Sequence, residues 1–236
     1  MMRRLDPASV TLVAALLLAG QLAAAAPVPS RGFVCTEGFD DVAGLPARGW
    51  TIVNNSDPPG PGAWAQGDAG VFAAWDGAAD SYVSVGADSA SGESPVVSNW
   101  LITPEIDFGP NNWNARIFNF HTRGVPGIAN RLVIRLCLES ETASCTAPGP
   151  ASGDLGGFQT TLLDINPDLT VQGYPAVWTL ENVDGIPPVG RGRIAFHYYV
   201  FTQGGAHGST IGVDGVAMAG ATACPFAEMV FIDGFD

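Results

Sequence analysis

The segment Ser98-Asn99-Trp100-Leu101-Ile102-Thr103-Pro104-Glu105-Ile106-Asp107-Phe108 alternates with period two. Trp100, Ile102, Pro104, Ile106 and Phe108 fall on one side, and Asn99, Thr103, Glu105 and Asp107 on the other, which is the pattern of a half-buried strand. The chain is therefore expected to be a β-protein. Pro104 has no N–H to give to a ladder, so the strand should lie at a sheet edge or carry a bulge there.

The rest of the chain repeats this theme. Apolar runs predict strands at Phe33–Phe39, Trp50–Val53, Val71–Trp75, Tyr82–Val85, Trp100–Phe108, Ala115–Thr122, Leu132–Leu138, Phe158–Leu163, Ala176–Leu180, Arg193–Phe201 and Thr210–Ala217. Turn clusters such as Asp57-Pro58-Pro59-Gly60-Pro61-Gly62 and Ala147-Pro148-Gly149-Pro150 separate them. Short strands at this spacing imply an all-β antiparallel jelly-roll sandwich. Helical periodicity is absent beyond the first residues, apart from a turn or two predicted at Leu162–Leu169.

The start of the chain reads as a secretory signal. Arg3 and Arg4 precede an apolar stretch from Val10 to Gly20, and small residues follow from Leu22 to Ala26. Cleavage after Ala25 makes residues 1–25 the signal peptide and 26–224 a single sandwich domain, with 225–236 as a terminal strand or short sorting tail. The apolar stretch is shorter than the roughly 20 residues that span a bilayer. The mature chain is expected outside the cytoplasm, extracellular or periplasmic, and not in a membrane. Loss of Arg3, Arg4 and Asp6 leaves 8 basic and 22 acidic residues, a net charge of −14. Such a surface excludes nucleic acid and anionic membranes as natural partners.

Four cysteines, Cys35, Cys137, Cys145 and Cys224, remain after export, which makes disulfides the expected state. Three pairings exist. Cys137 and Cys145 bracket a short polar loop and suit a local staple, which leaves Cys35 for Cys224. Zinc would compete, but no Cys-x-x-Cys spacing or neighbouring histidine supports it.

Three alternations mark a candidate binding surface. Phe118 and Phe120 point opposite to Asn119 and His121, and Phe196, Tyr198 and Val200 opposite to His197 and Tyr199. Arg131 and Arg135 likewise oppose Leu132, Ile134 and Leu136. Were these strands neighbours, Asn119, His121, Arg131, Arg135, His197 and Tyr199 would form one polar, partly aromatic face for hydrogen bonding and stacking to a sugar. An ordinary solvated sheet face carries the same alternation. Catalytic signatures are missing: no His-Glu-x-x-His, no Gly-x-Ser-x-Gly and no phosphate loop. His121, His197 and His207 are the only histidines open to a triad, and a glycosidase would need only two well-placed carboxylates.

Asn99-Trp100-Leu101-Ile102-Thr103-Pro104 resembles a motif of the choice-of-anchor J domains, also called cleaved adhesin domains, which are secreted bacterial jelly-roll modules similar in pattern to MAM domains. Glu37-Gly38-Phe39-Asp40, Leu45-Pro46, Gly49-Trp50, Gly192-Arg193-Ile194-Ala195-Phe196 and Ile211-Gly212-Val213-Asp214 extend the resemblance over about Cys35 to Cys224. It implies a concanavalin-like or galactose-binding-like architecture and an adhesion or recognition role toward a glycan or cell-surface protein. It also implies a structural calcium where an acid of the first strand meets an aspartate of the last, here Glu37 and Asp214 with Asp40 as a third. Gly215 removes a second aspartate seen in many relatives, and the alternative is surface acids at strand ends. The chain departs from its namesakes in showing no sortase motif, second hydrophobic span or basic stop-transfer tail. Val230-Phe231-Ile232-Asp233-Gly234-Phe235-Asp236 reads as a last strand or a sorting tag. A secreted hydrolase acting on glycans and a structural envelope component are the alternative functions.

Overall fold

The computed structural model describes residues 32–109, 117–142, 144–186, 190–201 and 208–232. The expected signal segment, His207 and the last four residues lie outside them. The strands are β1 (Gly32–Glu37), β2 (Thr51–Asn54), β3 (Ala65–Gln66), β4 (Val83–Val85), β5 (Val96–Ile102), β6 (Ile106–Asp107), β7 (Ile117–Gly124), β8 (Leu132–Leu138), β9 (Thr160–Ile165), β10 (Thr179–Asn182), β11 (Arg191–Phe201), β12 (Ile211–Ala219) and β13 (Glu228–Ile232). Among the described residues no helix is long and apolar enough to cross a membrane.

Two antiparallel sheets result. Sheet A runs β10-β7-β12-β1-β13, with β4 also on β12 and β3 on β4. Sheet B runs β2-β5-β11-β8-β9, with β6 on β11. Their inner faces meet through rings that alternation places inward: Phe120 lies edge-on to Phe196 with centroids 5.1 Å apart, and Phe118 is 6.0 Å from the same ring. Leu101, Ile134, Tyr198, Val213 and Met218 fill the same core. The fold is an all-β antiparallel sandwich.

Sheet B is buried on both sides. Trp100, Ile102 and Ala195 point outward and pack under Phe158, Leu155 and the Cys137–Cys145 disulfide as a second core. The segment after β8 therefore lies over the outer face. The half-buried reading of the Asn99–Phe108 stretch is corrected here: Asn99, expected on a solvated side, is fully buried and donates to Ser89 Oγ at 3.0 Å. Pro104 is corrected too. β5 is a central strand between β2 and β11, and it ends at Ile102, with pairing resuming only at β6. The missing N–H stops the ladder rather than marking an edge.

Two further expectations fall. Val71–Trp75 is a loop, part of a long excursion between β3 and β4, and the helical turn expected at Leu162–Leu169 is β9 followed by a turn in which Asn166 and Leu169 take positive φ, 62° and 49°. β13 pairs with β1 inside sheet A, and the edge of that sheet is its own far side.

Both disulfides follow the local-staple pairing. Cys35–Cys224 spans 189 residues and ties β1 to the segment between β12 and β13, whereas Cys137–Cys145 spans only 8. Cross-links restrict the unfolded chain more when the loop is long, giving about 5 kcal/mol for the first and about 2.6 kcal/mol for the second. Replacing Cys35 and Cys224 by alanine is thus predicted to lower the urea-unfolding free energy by more than replacing Cys137 and Cys145. Equal losses would contradict the model of a terminal clasp.

Candidate functional site

The six residues expected on one polar face separate onto two. β7 belongs to sheet A and β8 and β11 to sheet B, so the chain crosses the sandwich between Asn119 and Arg131. With Phe118, Phe120 and Phe196 turned inward, Asn119 and His121 face out from sheet A, while Arg131, Arg135, His197 and Tyr199 face out from sheet B. The single surface is corrected to two opposed ones. Strands adjacent in sequence were not adjacent in space.

The sheet B group is closed. His197 is fully buried, stacked on Trp100 with centroids 3.7 Å apart, and Arg135 is 8% exposed. Ser98 Oγ stands 3.0 Å from His197 Nε2, a spacing that invites comparison with a nucleophile and its base. Its polarity is reversed. Arg135 Nε donates to His197 Nδ1 at 3.2 Å, which leaves the ring proton on Nε2, pointing at Ser98. A serine nucleophile needs a lone pair there and a carboxylate behind the ring. Burial, then the charges of Arg135 and Arg131, hold the imidazole well below its usual pKa and hence neutral. Arg131 forms a bidentate pair with Asp164 at 2.9 and 2.6 Å and sits over Tyr199. These side chains tie β5, β8, β9 and β11 to one another across the outer face of sheet B.

Sheet A presents a different surface, organised by Asp214. One edge of β12 is shared, β4 pairing with Ile211–Val213 and β1 with Val216–Ala219, and on the other edge the β7 ladder carries a bulge between Asp214 and Ala217. Asp214 sits where the partner changes. Its Oδ2 accepts the backbone N–H of Trp75 at 2.8 Å and of Asp76 at 3.2 Å, and Oδ1 accepts that of Gly215 at 2.6 Å. The excursion between β3 and β4 is thereby tied down onto the sheet. Trp178 Nε1 donates to Ala73 O at 2.8 Å, and Tyr82 exchanges hydrogen bonds with the Asp68 backbone at 2.8 and 2.9 Å.

Trp75 is the consequence. Its ring is 53% exposed, yet it stacks on His121 with centroids 4.1 Å apart and planes 16° from parallel. Gly215, at φ +55°, admits this stack: a Cβ there would meet His121 Nδ1 at 3.3 Å and Trp75 Cδ1 at 3.6 Å. An aspartate at 215 would crowd both rings, which is a local reason for glycine at the position. Burial lowers the His121 pKa, so the ring beneath Trp75 is a neutral aromatic. Sequence reasoning included His121 but missed Trp75. The available signal was a tryptophan set in Ala73-Ala74-Trp75-Asp76-Gly77, a context of small and turn-forming residues that suits no strand.

The proposed calcium ligands do not fit an ion in this arrangement. Asp214 already accepts three backbone N–H groups, and Glu37 Oε1 receives the Phe39 N–H at 3.1 Å and the Arg48 guanidinium at 3.3 Å. A fixed cation already occupies one side of Glu37, and only the buried Oε2 lacks a partner. Asp40 is exposed and faces the loop at Gly77. Among the described residues no group of three or more His, Cys, Asp or Glu could hold a metal. Asp68 and Asp76 cap their own turns, accepting from Gly70 N and Gly77 N.

No protein-family model matches the sequence, and no curated protein matches it. Among solved structures, the K1 cleaved adhesin domain of Lys-gingipain from Porphyromonas gingivalis W83 is similar, with 20% identity, a TM-score of 0.51, and 78% of this chain and 96% of that one covered. The K3 cleaved adhesin domain from the same source gives 18% identity and a TM-score of 0.46 over 79% and 97%. A xylan-binding domain from CBM 22 gives 13% identity and a TM-score of 0.40 over 82% and 97%. The likeness to the K1 domain shows that this chain has the cleaved adhesin fold.

Burial, outweighing its amide hydrogen bonds, pushes Asp214 from 3.8 up to about 6, and Glu37 is raised for the same first reason despite Arg48. A raised carboxylate favours folding when protonated. Its contribution is fully present below the ordinary carboxylate range and is lost as pH rises through about 6. Urea-unfolding free energy is predicted to fall across that window, with Asp214 accounting for at most about 3 kcal/mol. Asp214→Asn should flatten the slope. The same slope in both proteins would contradict the assignment, and a melting temperature that rises with calcium and falls with EDTA would restore the metal.

Proposed function

We propose that this chain is an exported, non-catalytic recognition module of the choice-of-anchor J type, and that it binds a neutral glycan on the outer face of sheet A. The observation that carries this reading is Trp75, half-exposed but fixed from below by His121 and from behind by Asp214. A large aromatic held rigid before binding loses little freedom when a ligand arrives. Its π face suits the C–H face of a sugar ring, and Asn119 and Asn182, paired across β7 and β10, offer neutral amides beside it.

Charge narrows the ligand. The net −13 of the chain repels anionic glycans. Arg123, the basic side chain on this side of β7, is spent on Phe72, at 4.4 Å, and on Ala176 O. Two disulfides favour an oxidising compartment and agree with export by the first 25 residues. The reading without catalysis draws on the reversed Ser98–His197 pair and on Asp214 and Glu37. These carboxylates have raised pKa values but are 1% and 2% exposed and engaged with the protein. They face no space for a substrate.

The test is retention on insoluble cellulose, xylan and chitin and on a glycan array. The wild type is predicted to be retained by a neutral polysaccharide without release of reducing sugar, and Trp75→Ala to weaken binding at least about tenfold, about 1.4 kcal/mol, with an unchanged circular dichroism spectrum. Undiminished binding by Trp75→Ala would contradict the site. Release of reducing sugar, abolished by one carboxylate substitution, would establish the hydrolase instead.

A further inference from the structure

We infer, building on the glycan reading, that the ligand is an extended unbranched chain lying across sheet A, not a single terminal sugar held at Trp75. Cross-strand registers define the surface. Asn182 lies opposite Asn119, Asn119 opposite Ala217, Ala217 opposite Thr36, and Thr36 opposite Glu228. Residues directly opposite in antiparallel pairs share a face. That face is the outer one, because Phe118, Met218 and Cys35, which alternate with these residues, are in the core.

A second row is parallel to the first. Ile117 lies opposite Ala219, Ala219 opposite Val34, and Val34 opposite Val230. Ile117 and Val230 are 46% and 53% exposed. On the other side of the polar row, Leu180 is opposite His121 and is 47% exposed, next to the Trp75 stack. One continuous face thus carries the Asn182, Asn119, Ala217 and Thr36 row, flanked by an apolar row on one side and by Leu180 and the His121–Trp75 stack on the other. Across five strands it spans roughly 19 Å.

This pattern selects its occupant. A sugar chain presents ring C–H faces and hydroxyl edges in alternation, so the apolar row, Leu180 and Trp75 can take rings while Asn182 and Asn119 take hydroxyls, and Thr36, whose Oγ1 donates to Glu228 at 3.3 Å, can accept from one. No lysine or arginine stands in either row, and Glu228 closes one end, which disfavours a polyanion. Contiguity with the Trp75 platform gives the chain a fixed starting point.

Isothermal titration with cello- and xylo-oligosaccharides, from disaccharide to hexasaccharide, tests the length. Affinity for at least one series is predicted to climb tenfold or more with length. Ala217→Trp, a wall in mid-face, should cut hexasaccharide affinity at least tenfold and disaccharide affinity much less. Thr36→Trp, farther from Trp75, should do the same if the first variant folds poorly. Length-independent affinity that still requires Trp75 would overturn the extended chain and leave the Trp75 site standing. Binding that ignores Trp75, or failure of both series to bind while a cell-surface protein does, would overturn both.

Discussion

The carboxylate of Asp214 is the constraint on which the exposed half of this molecule depends. It occupies the place where β12 changes partner from β4 to β1, beside a bulge in the ladder with β7 on the other edge. Three backbone N–H groups converge on it, two of them from the excursion between β3 and β4. A buried carboxylate is costly to keep ionised, and the rise of its pKa to about 6 measures that cost. In return a loop without regular structure is held flat on the sheet. The Trp75 ring then has one orientation, and His121 supplies the surface beneath it.

The two outer faces of the sandwich have diverged in consequence. On sheet B, the disulfide-stapled segment after β8 covers Trp100, Ile102 and Ala195, and the polar groups Ser98, His197 and Arg135 are satisfied by each other. That face contributes stability and leaves little for a ligand. On sheet A the cover stops at Trp75, and the rows beyond it stay open. The same alternation of polar and apolar residues thus serves a second core on one side and an exposed face on the other.

Much of the fold was legible because period-two alternation reports burial directly. It placed Phe118 and Phe120 against Asn119 and His121, and Phe196 against His197, in agreement with the strands. It could not say which strands adjoin, so residues from both sheets were merged into one face. Alternation also treats every polar residue as solvated, whereas Asn99 is buried against Ser89 and Gly62, and Ser98 and His197, on the other side of the sheet, are buried against each other, Trp100 and Arg135. The two disulfides were readable from spacing. Trp75 was not, since its position depends on Asp214, 139 residues further along the chain, through a hydrogen bond to backbone rather than to any side chain.

The account rests on Trp75 being fixed before any ligand arrives, and amide hydrogen exchange reads this directly. In the free protein at neutral pH, the Trp75 and Asp76 N–H groups should exchange as slowly as the amides of neighbouring β12, and Asp214→Asn should raise both rates at least tenfold. Exchange at the rate of an exposed loop in the wild type would contradict the anchor, and with it the platform.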